Sequence, residues 1–161
     1  MTDQRPLAVF DLDGVLADVR HRLHHLEQRP KDWDAFFRDA VHDPVHAEGV
    51  ALVREAAADC EVVYVTGRPE HCRRDTVTWL RQHGLPEGDL RMRRARDRRP
   101  ARTAKPELLR ELAAGRPVAV VVDDDPEVCD AYERDGWLVL RAGWALQPEA
   151  LAEAQEEAGR T

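Results

Sequence analysis

The chain has 161 residues, of which 43% are hydrophobic and 34% are charged, and its formal net charge is −7 at pH 7. That length suits one domain with a buried core, here residues 1–161, and no apolar run is long enough to cross a bilayer. The acidic balance argues against a protein that coats nucleic acid, and residues 1–6 lack the pattern of a signal peptide. Three cysteines without metal-type spacing are typical of reduced thiols, so we expect a cytoplasmic protein.

Apolar runs and amphipathic segments alternate along the chain. The run Val118–Val122 is continuously apolar, as in a parallel strand that is covered on both faces. The pattern predicts an α/β fold with a doubly wound, mainly parallel sheet, whose ligand site lies at the carboxyl ends of the strands. Strands are predicted at Leu7–Asp11, Glu61–Thr66, Leu90–Arg93, Pro117–Asp123 and Trp137–Leu140. Helices are predicted at Ala47–Ala58, Glu70–His83, Thr103–Ala113, Pro126–Arg134 and from Pro148 to about Ala158.

The first predicted strand runs directly into the sequence Asp11-Leu12-Asp13-Gly14. Side chains at positions i and i+2 of a strand share a face, so Asp11 and Asp13 can converge on one small volume. Two carboxylates so close together are costly unless a cation or a proton resides there, which favours a divalent cation site beside a phosphoryl group. A pair of turn aspartates that flank a glycine is the simpler alternative.

Polar residues also follow other predicted strands. Thr66-Gly67-Arg68 ends the second strand, Asp123-Asp124-Asp125 follows the run that ends at Val122, and Lys105, one of only two lysines, lies in the first turn of a helix. Taken singly, these residues suit helix caps or a surface cation. Because parallel strands end at one edge of a sheet, we expect all of these groups to meet in one site.

A basic stretch interrupts the acidic average of the chain. Eight of the 24 lysines and arginines lie between Arg91 and Lys105, with Asp97 as the only acid among them. Such a stretch suits a polyanionic partner, and a solvated arginine-rich loop explains it equally well. Both interpretations stay open at this point.

The ordered set Asp-x-Asp-Gly, Thr-Gly-Arg, a lone lysine and Asp-Asp after an apolar strand resembles the four-motif signature of the haloacid dehalogenase-type phosphohydrolase superfamily. The resemblance spans nearly the whole chain, from Asp11 to Asp124. It implies that Asp11 is a nucleophile that forms an aspartyl-phosphate. It also implies that Asp13 is the general acid and base, a role that favours a partly raised pKa. Thr66 and Lys105 would bind and neutralise the transferred phosphoryl group.

The same resemblance implies a Mg²⁺ cofactor. It would be held by Asp11, by the backbone carbonyl of Asp13 and by an acid that follows a later strand. We assign that acid to Asp123, with Asp124 in support. Asp125 is the second choice for this role and also suits the N-cap of the following helix.

Beyond these motifs, the chain is similar to the 3′-phosphatase domain of bacteriophage-type polynucleotide kinase/phosphatases. The likeness implies that Arg22 and Arg68, with Gly67 beside them, bind the substrate phosphate through bidentate contacts. No GxxxxGK motif contains either lysine, so we expect no 5′-kinase activity from this chain, which would act alone or beside a separate kinase or ligase. The similar stretches are Arg22, Pro30–Trp33, Phe36–Phe37, Thr66–Arg68, Arg96–Arg98 and Val122–Asp124.

Residues 17–47 lie where the superfamily places a cap, with one predicted helix from Asp32 to Val41. A cap this small leaves the site open, which favours a large substrate such as a DNA or RNA 3′ end. Trp33, Phe36 and Phe37 are expected to pack in a core, and the alternative is that Trp33 stacks on a terminal base.

Three functions remain for comparison. The preferred one is a magnesium-dependent polynucleotide 3′-phosphatase, and the alternative enzyme is a phosphatase for small molecules such as nucleotides or sugar phosphates. A receiver-like phospho-acceptor switch would instead carry its phosphorylated aspartate in the middle of the chain. Because Asp11 and Asp13 combine a nucleophile with an acid and base, we expect turnover rather than storage of the phosphoryl group.

Overall fold

The computed structural model of the chain describes residues 4–144, 151–153 and 156. Its centre is a five-stranded parallel sheet in the order β3-β2-β1-β4-β5. The predicted α/β fold with a doubly wound sheet is confirmed. The strands are β1 (Leu7–Phe10), β2 (Glu61–Pro69), β3 (Leu90–Arg93), β4 (Val118–Asp123) and β5 (Val139–Arg141).

Helices cover the sheet on both faces. Among the described residues, no helix combines the length and the apolar character needed to pass through a membrane. The helix predicted from Pro148 to about Ala158 falls largely outside the described residues. The α-helices are α1 (His24–Glu27), α2 (Trp33–Arg38), α3 (Ala47–Asp59), α4 (Arg73–Gln82), α5 (Ala101–Ala113) and α6 (Pro126–Arg134). Short 3₁₀ helices lie at Arg20–Arg22, Asp39–His42 and Glu70–Cys72.

Several element boundaries differ from the sequence-based prediction: for example, the segment Asp32–Val41 is the helix Trp33–Arg38 followed by a 3₁₀ helix, and the last strand begins at Val139 instead of Trp137. Strand β2 continues through Pro69 instead of ending at Thr66. Helix α5 begins at Ala101, so Lys105 lies in its second turn rather than its first. Pro100 precedes this helix, and a proline is compatible with the start of a helix because the first N–H groups need no partner within it.

The core lies on both faces of β1. Ala8 and Phe10 pack with residues of α3 and α4, whereas Leu7 and Val9 pack with residues of α5 and α6. Successive strand side chains point to opposite faces, so a continuously apolar run serves both layers. Full burial of Phe10 alone contributes about 2–3 kcal/mol to folding.

The direction of winding reverses beside β1. Strands β2 and β3 lie on one side of it, and β4 and β5 lie on the other. Phe10 pairs with Tyr64 of β2 and with Val122 of β4. At such a switch point the connections leave the sheet in opposite directions, which opens a crevice at the carboxyl ends of the strands.

The two ends of the insertion between β1 and α3 pair with each other at its base. Ala17 forms an antiparallel bridge with Val45, and the Asp18 N–H donates to the Pro44 carbonyl (2.8 Å). Within the insertion, Phe36 and Phe37 are buried, with Trp33 packed against them. The prediction that these three aromatic side chains form a core is confirmed.

Candidate active site

Asp11 lies immediately after β1, at the crevice. Its N–H donates to the Val122 carbonyl of β4 (3.0 Å), so strand pairing continues up to this residue. Its carboxylate is buried, and Oδ1 lies 3.1 Å from Lys105 Nζ. Lys105 also donates to Asp123 Oδ2 (2.9 Å), so one ammonium group contacts the carboxyl groups of two residues from neighbouring strands. A fully buried ammonium group requires such partners, because its lost hydration is otherwise uncompensated.

Asp11, Asp123 and Asp124 form an acidic cluster. Each offers one carboxylate oxygen within 4.8 Å of the others, and neither oxygen of Asp124 accepts a hydrogen bond from a described residue. Burial, and then the charge of Asp123, raise the pKa of Asp11 to about 7. Burial, and then the charge of Asp11, raise the pKa of Asp124 well above its usual range. Crowded, desolvated carboxylates with unengaged oxygens fit the ligand set of Mg²⁺.

The three consecutive acids at the end of β4 have different surroundings. Asp123 uses both oxygens, since Oδ2 accepts from Lys105 and Oδ1 accepts from the Asp125 N–H (3.0 Å). Asp125 is the N-cap of α6, where its side chain accepts from two N–H groups of the first turn. Asp124 alone among these three keeps both oxygens free for a ligand, whereas sequence analysis placed Asp123 first.

Asp13 faces two arginines instead of the acidic cluster. Its Oδ1 accepts from Arg68 NH2 (2.5 Å) and from Arg22 NH2 (2.9 Å), and all three side chains are buried. Burial acts to raise the pKa of Asp13, but the charges of Arg68 and Arg22 outweigh it and lower the pKa to about 2. The expectation of a partly raised pKa is therefore wrong. Spacing along the chain does not show which cations surround a carboxylate.

Asp43 completes this buried group, although no sequence motif contains it. Its carboxylate accepts from Arg22 NH2 (2.8 Å) and Arg68 NH2 (3.3 Å) and has no exposed surface. It precedes Pro44 near the end of the insertion, where an aspartate is an ordinary turn residue. No local signal identifies it, because its partners are distant in the chain.

The end of β2 presents the Thr-Gly-Arg motif to the same crevice. Thr66 Oγ1 accepts from the Arg68 N–H (3.1 Å), which leaves the hydroxyl hydrogen free to be donated to a ligand. The Gly67 carbonyl accepts from Arg93 Nε (3.2 Å), and this buried guanidinium holds the Thr66–Arg68 segment in place. Thr66 is not a helix cap, since the 3₁₀ helix at Glu70–Cys72 begins after Pro69 without a side-chain cap.

The sequence matches the family described as the phosphatase domain of polynucleotide kinase PNKP over residues 6–142. The chain belongs to this family. It is accordingly a phosphatase of the haloacid dehalogenase superfamily, which agrees with the resemblance seen in its four motifs. No curated protein is similar enough in sequence to count as a relative.

Solved structures share the fold of this PNKP-type phosphatase domain. A chain of the Pnkp1/Rnl/Hen1 RNA repair complex is 22% identical with a TM-score of 0.72, over 88% of this chain and 43% of that one. The present chain thus spans less than half of that protein's length. The haloacid dehalogenase-like protein SP0104 from Streptococcus pneumoniae is 12% identical with a TM-score of 0.65, covering 98% of this chain and 93% of that one. CbbY from Rhodobacter sphaeroides, solved with phosphate, is 16% identical with a TM-score of 0.56, covering 98% and 99%.

Asp124, a member of the acidic cluster of the PNKP-type domain, lines a cavity of about 590 Å³. Gly14, Arg20, His46 and Trp144 are among the other residues that line it. This volume lies within the range of pockets that hold small organic ligands. Neither Arg22 nor Arg68 lines this cavity.

Most arginines of the basic stretch form ion pairs with acidic residues of the same PNKP-type domain. Arg93 is buried beside Gly67, and Lys105 belongs to the acidic cluster. Arg96 and Arg98 are exposed, with no ion pair to a described residue. Most of the stretch therefore stabilises the loop and α5, which leaves two arginines for a polyanion. The paired members are Arg91 with Asp89, Arg94 with Glu111, Arg99 with Asp97 and Glu107, and Arg102 with Glu156.

Proposed function

We propose that this chain is a magnesium-dependent phosphatase that removes the 3′-phosphate from DNA or RNA ends through an aspartyl-phosphate on Asp11. The observation that carries the proposal is the pairing of Asp11 with Lys105 beside an acidic cluster, one member of which, Asp124, lines a cavity of about 590 Å³. A carboxylate beside a buried ammonium group is a nucleophile whose negative charge is balanced before an anionic ester arrives. Membership of the PNKP phosphatase family supports the polynucleotide substrate.

The first step is attack by an Asp11 oxygen on the phosphorus atom. A bond forms between this oxygen and phosphorus, and the bond from phosphorus to the 3′-oxygen breaks. The leaving 3′-oxygen takes its proton from Asp13, because an alkoxide is otherwise a poor leaving group; this requires the negative charge of the approaching ester to raise the pKa of Asp13 from its low value. Lys105 and the hydroxyl of Thr66 balance the charge on the phosphoryl oxygens during the transfer.

The second step hydrolyses the aspartyl-phosphate. Asp13, now a carboxylate, takes a proton from water while the water oxygen bonds to phosphorus. The bond from phosphorus to the Asp11 oxygen breaks, which restores the carboxylate and releases inorganic phosphate. The same group serves as acid and then as base, so one position beside Asp11 suffices for both steps.

The acidic cluster fits a Mg²⁺ ion, and we assign its ligands to Asp11, the backbone carbonyl of Asp13 and Asp124. Asp124 is preferred over Asp123 because its oxygens are unengaged, whereas Asp123 is held by Lys105 and a backbone N–H. A bound Mg²⁺ supplies positive charge that lets the anionic ester approach anionic side chains.

The resemblance assigns Arg22, Gly67 and Arg68 to the substrate phosphate. Arg22 and Arg68 already contact carboxylates and lie behind Asp13, outside the cavity. Binding the phosphate would require these guanidiniums to exchange Asp13 for the ligand. The Rnl component named with Pnkp1 in the related complex supports a separate ligase as partner of this chain.

A panel of phosphorylated substrates tests the proposal. The panel compares oligonucleotides with a 3′-phosphate, a 5′-phosphate or a 2′,3′-cyclic phosphate, together with mononucleotides, with and without Mg²⁺. We expect Mg²⁺-dependent release of phosphate from 3′ ends, and loss of at least about 10³-fold in Asp11→Asn, which lacks the nucleophile. Asp59→Asn, at an exposed site at the end of α3, is the matched control with full activity.

Each other outcome has a definite meaning. Hydrolysis of mononucleotides or sugar phosphates alone would replace the polynucleotide assignment with the small-molecule alternative. Activity that survives Asp11→Asn would remove the proposed nucleophile. A stable phosphorylated chain without turnover would indicate a phospho-acceptor switch.

A further inference from the structure

Asp43 lies outside the four motifs, and its side chain is held on every side. Arg22 donates to it through Nε and NH2, each at 2.8 Å, in a bidentate pair. Arg68 NH2 lies 3.3 Å from Oδ2, and His21 Nε2 lies 2.6 Å from Oδ1. The backbone carbonyl of Asp43 also accepts from Trp79 Nε1 (2.9 Å). The carboxylate therefore has one well-defined orientation, and it holds the guanidinium groups of Arg22 and Arg68 in place.

The same two guanidinium groups contact Asp13. Arg22 donates to Asp13 from the same NH2 that contacts Asp43, and Arg68 donates from NH2 and Nε. A guanidinium is planar and rigid, so a carboxylate that fixes one edge also fixes the other. The contacts form a continuous chain from Asp43 through the two arginines to Asp13.

We propose that Asp43 is a positioning residue for the phosphatase reaction: it anchors Arg22 and Arg68, and these orient the Asp13 carboxyl group toward the leaving oxygen. This inference rests on the proposed function and deepens it. Asp43 belongs to the insertion between β1 and α3, whereas Asp13 follows β1. The insertion thereby contributes to the chemistry of the site in addition to covering it.

The inference predicts a dependence on the leaving group. An ester of a ribose 3′-oxygen requires protonation as it leaves, whereas p-nitrophenolate is stable as an anion and leaves without a proton. A displaced Asp13 should therefore slow the first ester and spare the second. A general loss of structure, in contrast, would slow both to the same extent.

The experiment compares wild type with Asp43→Asn on a 3′-phosphorylated oligonucleotide and on p-nitrophenyl phosphate. Asparagine keeps the size of the side chain but loses the charge that anchors the arginines. We expect kcat on the oligonucleotide to fall about 30- to 100-fold with KM unchanged, and kcat on p-nitrophenyl phosphate to fall less than about threefold. Asp39→Asn is the matched control: Asp39 lies in the 3₁₀ helix just before Asp43 and pairs with His25 of α1 instead of a site residue, so both rates should persist.

A second variant keeps the test decisive if Asp43→Asn does not fold. Arg22→Lys retains the positive charge but cannot bridge two carboxylates in a fixed plane, so it should show the same ester-selective loss. In the double variant with Asp43→Asn, the two losses should overlap rather than multiply, since both break one chain of contacts. Multiplicative losses would overturn the inference.

Three further results would overturn the role of Asp43: equal loss on both esters, a rise in KM alone, or no change. A rise in KM alone would mean that the arginines bind the substrate phosphate. If wild type hydrolyses p-nitrophenyl phosphate and alkyl phosphates but not the oligonucleotide, the polynucleotide assignment fails. The role of Asp43 is then tested by comparing an alkyl phosphate with p-nitrophenyl phosphate. If wild type hydrolyses no ester at all, both proposals fail.

Discussion

Gly14 lies against the Asp124 carboxylate so closely that a methyl group at position 14 would stand 2.1 Å from Oδ2. Gly14 also has a φ of 84°, in the left-handed region that side chains disfavour. Glycine is therefore required in this turn for two separate reasons, its backbone conformation and the space that the Asp124 carboxylate occupies.

Gly14→Ala should displace Asp124 and reduce phosphatase activity about 100-fold or more, because the acidic cluster depends on close placement. Gly115→Ala is a matched control, since Gly115 has a φ of 85° but nothing within 4 Å of an added methyl group. It should cost about 1–2 kcal/mol of stability and keep full activity. Steady-state kinetics and urea unfolding measure both effects. Equal loss of activity in the two variants would show that backbone conformation alone is responsible.

Mg²⁺ should stabilise the folded chain, and more at higher pH. In the absence of a cation, the raised pKa of Asp11, about 7, keeps a proton on the folded state that the unfolded chain releases near 3.8. The free energy of unfolding therefore falls as pH rises from about 4 to about 7, and a cation that replaces the proton restores it. We expect a rise in Tm of about 5–10 °C at pH 8 with Mg²⁺ at roughly 100 times its dissociation constant, and a smaller rise at pH 5.

Asp124→Asn provides the control for this cation effect. It should remove most of the rise in Tm, and it should also raise the Tm of the cation-free protein, because one of three crowded carboxylates is gone. Asp59→Asn should behave as wild type. A Mg²⁺ effect that persists in Asp124→Asn would place the cation elsewhere.

Lys105→Met should destabilise the fold as well as abolish activity. The substitution leaves Asp11 and Asp123 buried without their shared counter-charge, which costs about 3–5 kcal/mol in comparable buried pairs. Arg110→Met on the same helix breaks only an exposed pair with Asp135 and should cost about 1 kcal/mol or less. Urea unfolding distinguishes the two. Equal destabilisation would mean that the Lys105 ammonium does not offset the buried carboxylates.

Arg96 and Arg98 should carry the salt dependence that the basic stretch contributes to oligonucleotide hydrolysis. The plot of log(kcat/KM) against log[salt] should have a negative slope. Replacing both arginines by alanine should make that slope shallower by about 1.4, at roughly 0.7 per contacted phosphate of a single strand. Replacing Arg94 and Arg99, which pair with acids of the chain, should leave the slope within about 0.3 of the wild-type value. An unchanged slope in the first double variant would assign the stretch to loop structure alone.

Much of the architecture follows from local pattern. The apolar run Val118–Val122 lies within β4, and the segment Leu90–Arg93 is a strand with the predicted bounds. Asp11 and Asp124 follow strands β1 and β4, as the sequence pattern predicts, and the ends of parallel strands meet at one edge of the sheet. The contact between Asp11 and Lys105 agrees with what the resemblance to the haloacid dehalogenase-type phosphohydrolases implies for these two residues.

Ion pairing within the site depends on the tertiary structure. Residues 123, 124 and 125 are all aspartates, so residue type does not distinguish them. Their hydrogen bonds show that Asp123 pairs with Lys105, that Asp124 has both oxygens unengaged and that Asp125 caps α6. Asp43 carries no local mark at all, and the lowered pKa of Asp13 runs opposite to the expectation from its motif. The periodicity of hydrophobic residues and the ends of strands depend on residues that are neighbours in the chain, so the sequence alone predicts them. Electrostatic environment depends on which distant charges share a low-dielectric volume, and folding alone brings those charges together.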